Sequence, residues 1–292
     1  MKLQKIKIFL EMIKFEHTIF ALPFAFMGAV LGSVVELHRL PGWSTIGWII
    51  LAMVGARSAA MGLNRLIDKK IDKKNPRTSG RALPAGLLSS VEVAVFIVIS
   101  FILLFVAASR LNPLAMKLLP IAVVMLVGYS YTKRFTWLCH VFLGLTIGLA
   151  PLGGWVAATG IVDWTAIIFY LTVAFWTAGF DVIYACQDIG FDKQNGIKSI
   201  PQRFGISKAL WIARGFHAAT AVGLIVMLLI TDLSWVYLIG AIVASGILFY
   251  EHRLVSPNDL SRLNTAFFTM NGVLSVVVFA FTLFDLLVLH KW

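Results

Sequence analysis

Long apolar runs are the feature of this sequence that most constrains its fold. A helix needs about 20 mostly apolar residues to cross a bilayer, and nine runs in the 292-residue chain are close to that length. They cover residues 18–36, 44–64, 92–109, 114–131, 137–158, 165–186, 209–230, 235–250 and 266–288. Only helices and closed barrels satisfy their own backbone polar groups in lipid. The runs therefore predict an all-α membrane protein, with nine transmembrane helices in a single bundle and one polytopic domain over residues 1–292.

The composition favours a membrane protein over a nucleic-acid-binding protein. Hydrophobic residues make up 59% of the chain and charged residues 13%, with a mean hydropathy of +0.88, whereas soluble domains carry roughly a quarter charged residues. The net charge is +11, but the basic residues lie in short segments between apolar runs. The expected partners are therefore the lipid bilayer and an anionic substrate, and no nucleic acid. Two cysteines, Cys139 and Cys186, are too few for a disulfide framework or a zinc site.

Lys and Arg are distributed unequally between the two sides of the predicted bundle. Alternate segments, beginning with the N-terminus, together with Arg214 near the start of the seventh run, hold twenty of the 25 Lys and Arg residues. The opposite set holds only Arg39, Arg110, Lys117 and Lys291. Because cytoplasmic loops carry an excess of basic residues, the N-terminus is predicted to be cytoplasmic and the C-terminus outside. The expected location is a bacterial inner membrane.

Two polar stretches, at 64–81 and 181–203, follow the second and sixth apolar runs. The first reads NRLIDKKIDKKNPRTSGR, and seven basic residues surround its acids. Its segment DKKIDKKN (68–75) and the later segment DIGFDKQN (188–195) share the pattern D-x-x-x-D-K-x-N. Each continues to a base followed by a hydroxyl, at 77–78 and at Lys198-Ser199. Both stretches are predicted on the cytoplasmic side, so they can face each other.

The spacing of the acids predicts a site for a metal ion and a diphosphate. Residues four apart on an α-helix lie on nearly the same face, so Asn64, Asp68 and Asp72 form one oxygen-bearing stripe, and Asp188 and Asp192 form a second. Mg²⁺ takes such oxygens and shares phosphate oxygens, while Arg binds phosphate bidentately. The alternative is a solvated surface on which the Asp and Lys side chains pair with each other, with little effect on stability.

Two of the charged residues within apolar runs are further candidates. Arg57 precedes Asn64 by seven residues, which places it on the same helical face about 10 Å deeper. A charge at that depth is costly and indicates function by default; the alternatives are snorkelling or a structural ion pair. Asp181 precedes Asp188 by seven residues and mirrors Arg57. These two residues either pair with each other or line the pocket of an acceptor.

Polar residues near the ends of the runs complete the candidate set. Lys133 and Arg134 are candidates for a diphosphate clamp, with topology determinants as the alternative. Tyr184 lies between Asp181 and Asp188 and can reach the site. His140, like His17, is interpreted as a packing or interfacial residue rather than a ligand.

These residues together give the chain a resemblance to the UbiA-type intramembrane aromatic prenyltransferases. The pattern of that family is N-D-x-x-D-x-x-x-D after the second of nine helices and D-x-x-x-D after the sixth. The resemblance also covers Arg57, the loop at 129–134, Asp181 and the segment GIKSIPQRFG at 196–205. The chain departs from the pattern at Arg65, where many members carry Asp.

The resemblance implies an enzyme that transfers a polyprenyl group from polyprenyl diphosphate to an aromatic acceptor with the help of Mg²⁺. The implied metal ligands are Asn64, Asp68, Asp72, Asp188 and Asp192, and Asp181 joins the four aspartates as a catalytic residue. The implied substrate-binding residues are Arg57, Asn64, Lys133, Arg134, Tyr184 and Lys198. In the implied mechanism the allylic C–O bond ionises, and the ring attacks the carbocation in a pocket that excludes water. Arg57 is the candidate partner of the acceptor carboxylate, and Asp181 the candidate for orienting or deprotonating the phenol.

The segments HTIFALPFA (17–25) and GRALPAG (80–86) bear on the acceptor. They resemble the branch that prenylates 4-hydroxybenzoate at its 3-position in ubiquinone biosynthesis, and also the branch that prenylates a futalosine-derived menaquinone precursor. We expect 4-hydroxybenzoate, with the second acceptor as the alternative. A membrane transporter is a rival class, but its charges usually lie near the midplane, whereas most of these acids lie at helix ends. A phospho-alcohol transferase would carry D-G-x-x-A-R, a string that the sequence lacks.

Overall fold

A computed structural model describes residues 2–13 and 18–289 of the chain. In this part the regular structure is helical, and no strand forms. The helices are α1 (Lys2–Met12), α2 (Thr18–Leu37), α3 (Trp43–Lys74), α4 (Ser90–Leu111), α5 (Pro113–Thr132), α6 (Cys139–Thr159), α7 (Trp164–Ala185), α8 (Ile189–Asn195), α9 (Ile200–Ile230), α10 (Trp235–Glu251) and α11 (Asn271–Phe284). A 3₁₀ turn (Cys186–Asp188) joins α7 to α8, and π-helical turns (Thr265–Met270, Asp285–Leu289) flank α11. The predicted all-α class is confirmed.

Most of the long helices have the length and hydropathy needed to cross a membrane. Within the described residues there are seven such stretches: Trp43–Lys74, Ser90–Leu111, Pro113–Thr132, Cys139–Thr159, Trp164–Asn195, Ile200–Ile230 and Thr265–Leu289. Two further apolar helices, Leu22–Leu37 and Trp235–Glu251, are shorter. Each predicted apolar run overlaps a helix, while the count of nine spans and the orientation of the two ends stay predictions.

Helix α3 extends well past the apolar run that was predicted to end at residue 64. Between Asn64 and Lys74 the chain has no Gly or Pro, and Leu, Ile and Lys favour a helix. The helix ends at Asn75, which is extended (φ −86°, ψ 119°) because the residue before a proline avoids the helical region. The first polar stripe therefore projects from the continuation of a membrane helix.

Glycines allow α2 and α6 to pack backbone against backbone. A Cβ atom at Gly154 would lie 2.0 Å from the carbonyl oxygen of Ala25, and one at Gly28 would lie 2.0 Å from that of Pro151. Small residues at such crossings permit the close approach typical of membrane helices. This contact fixes α6 beside α2, and residues of α6 also line a cavity with α3 and α5.

The main hydrophobic core surrounds α7. Its buried Phe169, Trp176 and Phe180 pack with residues of α2, α9, α10 and α11. The Trp176 ring lies 4.9 Å from Phe24 and 5.0 Å from Phe180, measured between centroids. Because the core holds α7 firmly, the end of α7 places Asp181 and the second polar stretch opposite the end of α3.

Candidate active site

One polar cavity collects the ends of α3, α5 and α7, the start of α6, and the loops that follow α3 and α8. Its volume is about 370 Å³. Ten of the eleven side chains predicted for the site line it: Arg57, Asn64, Asp68, Asp72, Lys133, Asp181, Tyr184, Asp188, Asp192 and Lys198. The eleventh, Arg134, reaches Asp68 from the rim. Residues up to 141 positions apart in sequence therefore meet at one place.

Asp68 is the most enclosed acid of the first stripe, with 1% of its surface exposed. Lys133 forms an ion pair with one of its oxygens, and Arg134 donates to the other at 3.0 Å. Asn64 adds a hydrogen bond from its amide nitrogen at 3.1 Å. The end of α5 thus supplies two cations to one carboxylate.

Asp72, one turn further along α3, is 5% exposed and faces a base from the following loop. Arg81 donates to both carboxylate oxygens, at 2.8 and 2.9 Å. The basic partners of Asp68 and Asp72 therefore lie outside the lysine-rich segment 69–74. Lys69, for example, donates instead to Ser90 at 2.9 Å. The alternative of a solvated surface with local Asp–Lys pairs therefore does not describe Asp68 or Asp72.

The second stripe differs in shape from the prediction of a continuous helix. Asp188 ends the 3₁₀ turn and caps α8 with φ −96° and ψ 3°, so the chain bends between α7 and α8. Asp192 lies on α8 and accepts a hydrogen bond from Ser199 at 2.8 Å. Both carboxylates still line the cavity.

Arg77 bridges the two stretches. Its guanidinium donates to both oxygens of Asp188, at 3.0 and 2.5 Å, and lies 5.5 Å from the ring centroid of Tyr184. Asn75 donates to the same carboxylate at 3.2 Å. Burial lowers the pKa of Arg77, but the hydrogen bond and the charge of Asp188 outweigh burial, so the net pKa is raised. The loop after α3 therefore keeps a cation against the second stripe.

Asp181 and His140 form a buried pair at the inner wall of the cavity. Nδ1 of His140 lies 2.7 Å from Oδ2 of Asp181. His140 is buried, as expected of a packing residue, and its ring also contacts a carboxylate that lines the cavity. This contact could not be predicted from the sequence, since His140 lies at the start of α6 and its partner lies 41 residues away on α7. His17, by contrast, lies outside the described residues.

Lys198 and Tyr184 occupy the outer and aromatic walls of the cavity. The ammonium of Lys198 lies at the cavity rim and donates a hydrogen bond to the backbone carbonyl of Phe135 at 3.1 Å. The Tyr184 ring stacks on Phe267 with centroids 4.0 Å apart. Its hydroxyl accepts from Arg77 at 3.4 Å. Both residues therefore border the space between the two stripes.

A second, apolar cavity continues from the first. Its volume is about 310 Å³, and it lies between α3, α4, α5 and α6. Both cavities share the residues at their junction: Arg57, Met61, Tyr129, Leu143 and Ile147. Arg57 therefore lies where the polar space passes into the apolar one.

Arg65, the departure from the family pattern, does not line either cavity. Its side chain is buried, and Nε donates to the carbonyl of Met12 at 3.3 Å. The residue thus fastens α1 to α3 without lining the space between the two aspartate stripes.

Several site residues were not among those predicted for the site. They are Asn75, Arg77, Arg81, Ser130, His140 and Ser199. A signal was present for part of this set, because the repeated pattern of a base followed by a hydroxyl includes Arg77 and Ser199. No such signal marked Arg81 or Ser130, whose positions depend on the path of a loop and on helix packing.

The donor set fits a hard cation that is bound together with a phosphate. Within residues 2–13 and 18–289, no three His, Cys, Asp or Glu side chains already converge as a metal site. Mg²⁺ is usually held by one or two carboxylates, with waters and substrate phosphates completing its shell. Two pairs of aspartates facing one cavity, each balanced by bases, agree with that mode of binding.

Comparison with known proteins identifies the family. The model of the UbiA prenyltransferase family matches residues 21–273. A 4-hydroxybenzoate octaprenyltransferase of Vibrio campbellii is 28% identical over 95% of this chain and 97% of its own length. The 4-hydroxybenzoate octaprenyltransferase of Vibrio atlanticus is 32% identical over 82% of this chain and 84% of its own length. The chain belongs to the UbiA prenyltransferase family and is therefore an enzyme of prenyl transfer.

Solved structures agree with this assignment. The apo structure of a UbiA homolog from Aeropyrum pernix K1 superimposes with a TM-score of 0.84 at 30% identity, over 93% of this chain and 98% of that one. A UbiA homolog from Archaeoglobus fulgidus, bound to GPP and Mg²⁺, gives a TM-score of 0.75 at 19% identity, over 94% and 98%. The second likeness concerns the fold alone.

Proposed function

We propose that this enzyme transfers a polyprenyl group from polyprenyl diphosphate to the 3-position of 4-hydroxybenzoate, in ubiquinone biosynthesis. The observation that carries the proposal is the junction of the two cavities at Arg57. A space lined by acids and bases suits a metal-bound diphosphate, and an apolar space directly beyond it suits a hydrocarbon chain. Such an arrangement matches an amphiphilic donor whose reacting carbon lies between its two ends.

The diphosphate is bound at the polar end. Lys133, Arg134, Arg77 and Arg81 now balance aspartates, and each can turn its charge to phosphate oxygens. Asn64, Asp68, Asp72, Asp188 and Asp192 would hold Mg²⁺, which when bound would neutralise the charge that grows on the leaving diphosphate. The bases hold the same charge in place, so the allylic C–O bond breaks with its electron pair on the diphosphate.

The acceptor is bound near the junction. Arg57 is placed to pair with the carboxylate of 4-hydroxybenzoate, since it is the cation at the boundary of the apolar space. The apolar walls there exclude water, which would otherwise quench an allylic cation. The ring carbon ortho to the phenol oxygen attacks that cation, and Asp181 orients or deprotonates the phenol. Arg57 and Asp181 thus have distinct tasks in an electrophilic aromatic substitution.

The acceptor assignment draws support from the relatives. Several 4-hydroxybenzoate octaprenyltransferases align with most of the chain at about 30% identity, and a mitochondrial 4-hydroxybenzoate polyprenyltransferase of Arabidopsis thaliana is 34% identical over 70% of it. We further propose a bacterial inner-membrane location with the polar cavity facing the cytoplasm, because the basic residues concentrate at that end.

Membranes that contain the protein test the proposal directly. They are supplied with a polyprenyl diphosphate and 4-hydroxybenzoate, once with Mg²⁺ and once with EDTA, and the products are identified by mass spectrometry. The expected product is 3-polyprenyl-4-hydroxybenzoate, formed only with Mg²⁺. Transfer to a futalosine-derived acceptor and not to 4-hydroxybenzoate would overturn the acceptor, and transfer to neither would overturn the function.

A further inference from the structure

We propose that His140 is a positioning residue that orients the carboxylate of Asp181 toward the acceptor's phenol. This inference rests on the proposed function, because it assigns a partner to the residue that handles the phenol proton. It goes beyond that function by giving a task to a histidine that touches neither the aspartate stripes nor the bases that balance them.

The tautomer of His140 follows from its two contacts. Nε2 lies 3.3 Å from the backbone nitrogen of Ile200, and a backbone N–H can only donate, so Nε2 accepts. The proton of the neutral ring is then on Nδ1 and is donated to Oδ2 of Asp181 over 2.7 Å. The neutral ring therefore donates a hydrogen bond to the carboxylate, and the backbone N–H at the start of α9 determines which ring nitrogen carries the proton.

The surroundings hold this geometry rigidly. The His140 side chain is 4% exposed, whereas that of Asp181 is 23% exposed, toward the cavity. Ile200 is the first residue of α9, and the cap of that helix, Ser199, holds Asp192 of the second stripe at 2.8 Å. One helix start therefore fixes both the carboxylate that serves the acceptor and one that serves the donor.

The chemical consequence concerns the proton of the acceptor. Once the C–O bond electrons have left with the diphosphate, the ring carbon bonds to the allylic cation, and Asp181 accepts the phenol proton. The resulting dienone loses the proton on the attacked carbon and regains one on oxygen, so one proton is released overall. With Oδ2 held by His140, the remaining carboxylate oxygen is kept available for the phenol.

Replacement of His140 separates positioning from packing. His140→Leu keeps an apolar side chain but has no donor, whereas the amide nitrogen of His140→Asn lies close to the position of Nδ1. We expect His140→Leu to lower kcat about 10- to 100-fold, the usual cost of losing an orienting partner. The KM for the donor should stay within about twofold, and His140→Asn should recover most of the loss. Thermal stabilisation by Mg²⁺ and inorganic pyrophosphate reports an intact donor site in every variant.

Two further comparisons make the test specific. In an Asp181→Asn background, His140→Leu should have no additional effect, because the partner that it orients is already changed. His217→Leu removes a second histidine that is equally buried, at 3% exposure, and should leave kcat within about threefold. Full activity of His140→Leu, no recovery in His140→Asn, or additive losses in the double variant would overturn the positioning role alone. A wild-type enzyme that forms no prenylated 4-hydroxybenzoate would overturn the proposed function as well.

Discussion

Replacement of Arg77 by Gln should change two affinities in opposite directions. The guanidinium donates to both oxygens of Asp188, so a divalent cation must compete with it. A diphosphate, in contrast, gains this cation as a partner. The variant should therefore bind a metal ion alone more tightly, and a metal-bound pyrophosphate more weakly.

The size of both effects follows from the exposure of the pair. A hydrogen bond to a charged group contributes about 1.5–3 kcal/mol, but 34% of the Arg77 side chain is exposed. Solvent screening reduces the contribution to about 1 kcal/mol, which is about fivefold in a binding constant. We expect Mn²⁺ alone to bind about fivefold more tightly, and pyrophosphate at saturating Mg²⁺ to bind about fivefold more weakly.

Two measurements check this prediction. The free Mn²⁺ concentration is followed by electron paramagnetic resonance, and pyrophosphate is titrated calorimetrically. Arg203→Gln is the matched control, since Arg203 is exposed and stacks on Trp137 at 5.3 Å away from the cavity. If both affinities of Arg77→Gln fall together, or if the control changes as much, competition between Arg77 and the metal is refuted.

Three other changes test the fold, the cavity and the unusual arginine. Gly154→Ala should lower the unfolding free energy by about 1–3 kcal/mol in detergent, because its Cβ would lie 2.0 Å from the α2 backbone. A Cβ at Gly153 meets nothing within 4 Å, so the control Gly153→Ala should be neutral. Equal melting temperatures of the two variants would contradict the packing. Cys139 lines the polar cavity and Cys186 is buried, so a maleimide should label Cys139 alone, and Mg²⁺ with pyrophosphate should slow the labelling. Arg65→Gln should bind Mg²⁺–pyrophosphate within about threefold of the wild type in a calorimetric titration, and a tenfold loss would place Arg65 in the site.

The first stripe could be predicted from sequence because its geometry is local. Asn64, Asp68 and Asp72 are spaced by one helical turn, and the helix that carries them continues until Asn75-Pro76 stops it. The second stripe was less predictable. The same four-residue spacing crosses a 3₁₀ turn at Asp188, and the helical propensity of the segment does not show that bend.

The partners of the acids could not be predicted because they depend on long-range packing. Arg81 meets Asp72 only through the path of the loop after α3, and His140 meets Asp181 only where α6 crosses α7. The apolar cavity has the same origin, since four helices enclose it and no single segment encodes its shape. Residue types and their spacing thus predicted the chemistry of the site, while tertiary contacts determined which residues complete it.

The central claim is that two aspartate stripes hold one magnesium-bound diphosphate between them. Calorimetric titration of pyrophosphate into the wild type, Asp68→Asn and Asp188→Asn, each with Mg²⁺ and with EDTA, tests it most directly. We expect binding that requires Mg²⁺ and that weakens at least about tenfold in each variant, while the exposed Asp259→Asn control keeps its affinity. Wild-type affinity in either stripe variant, or binding that persists in EDTA, would contradict it.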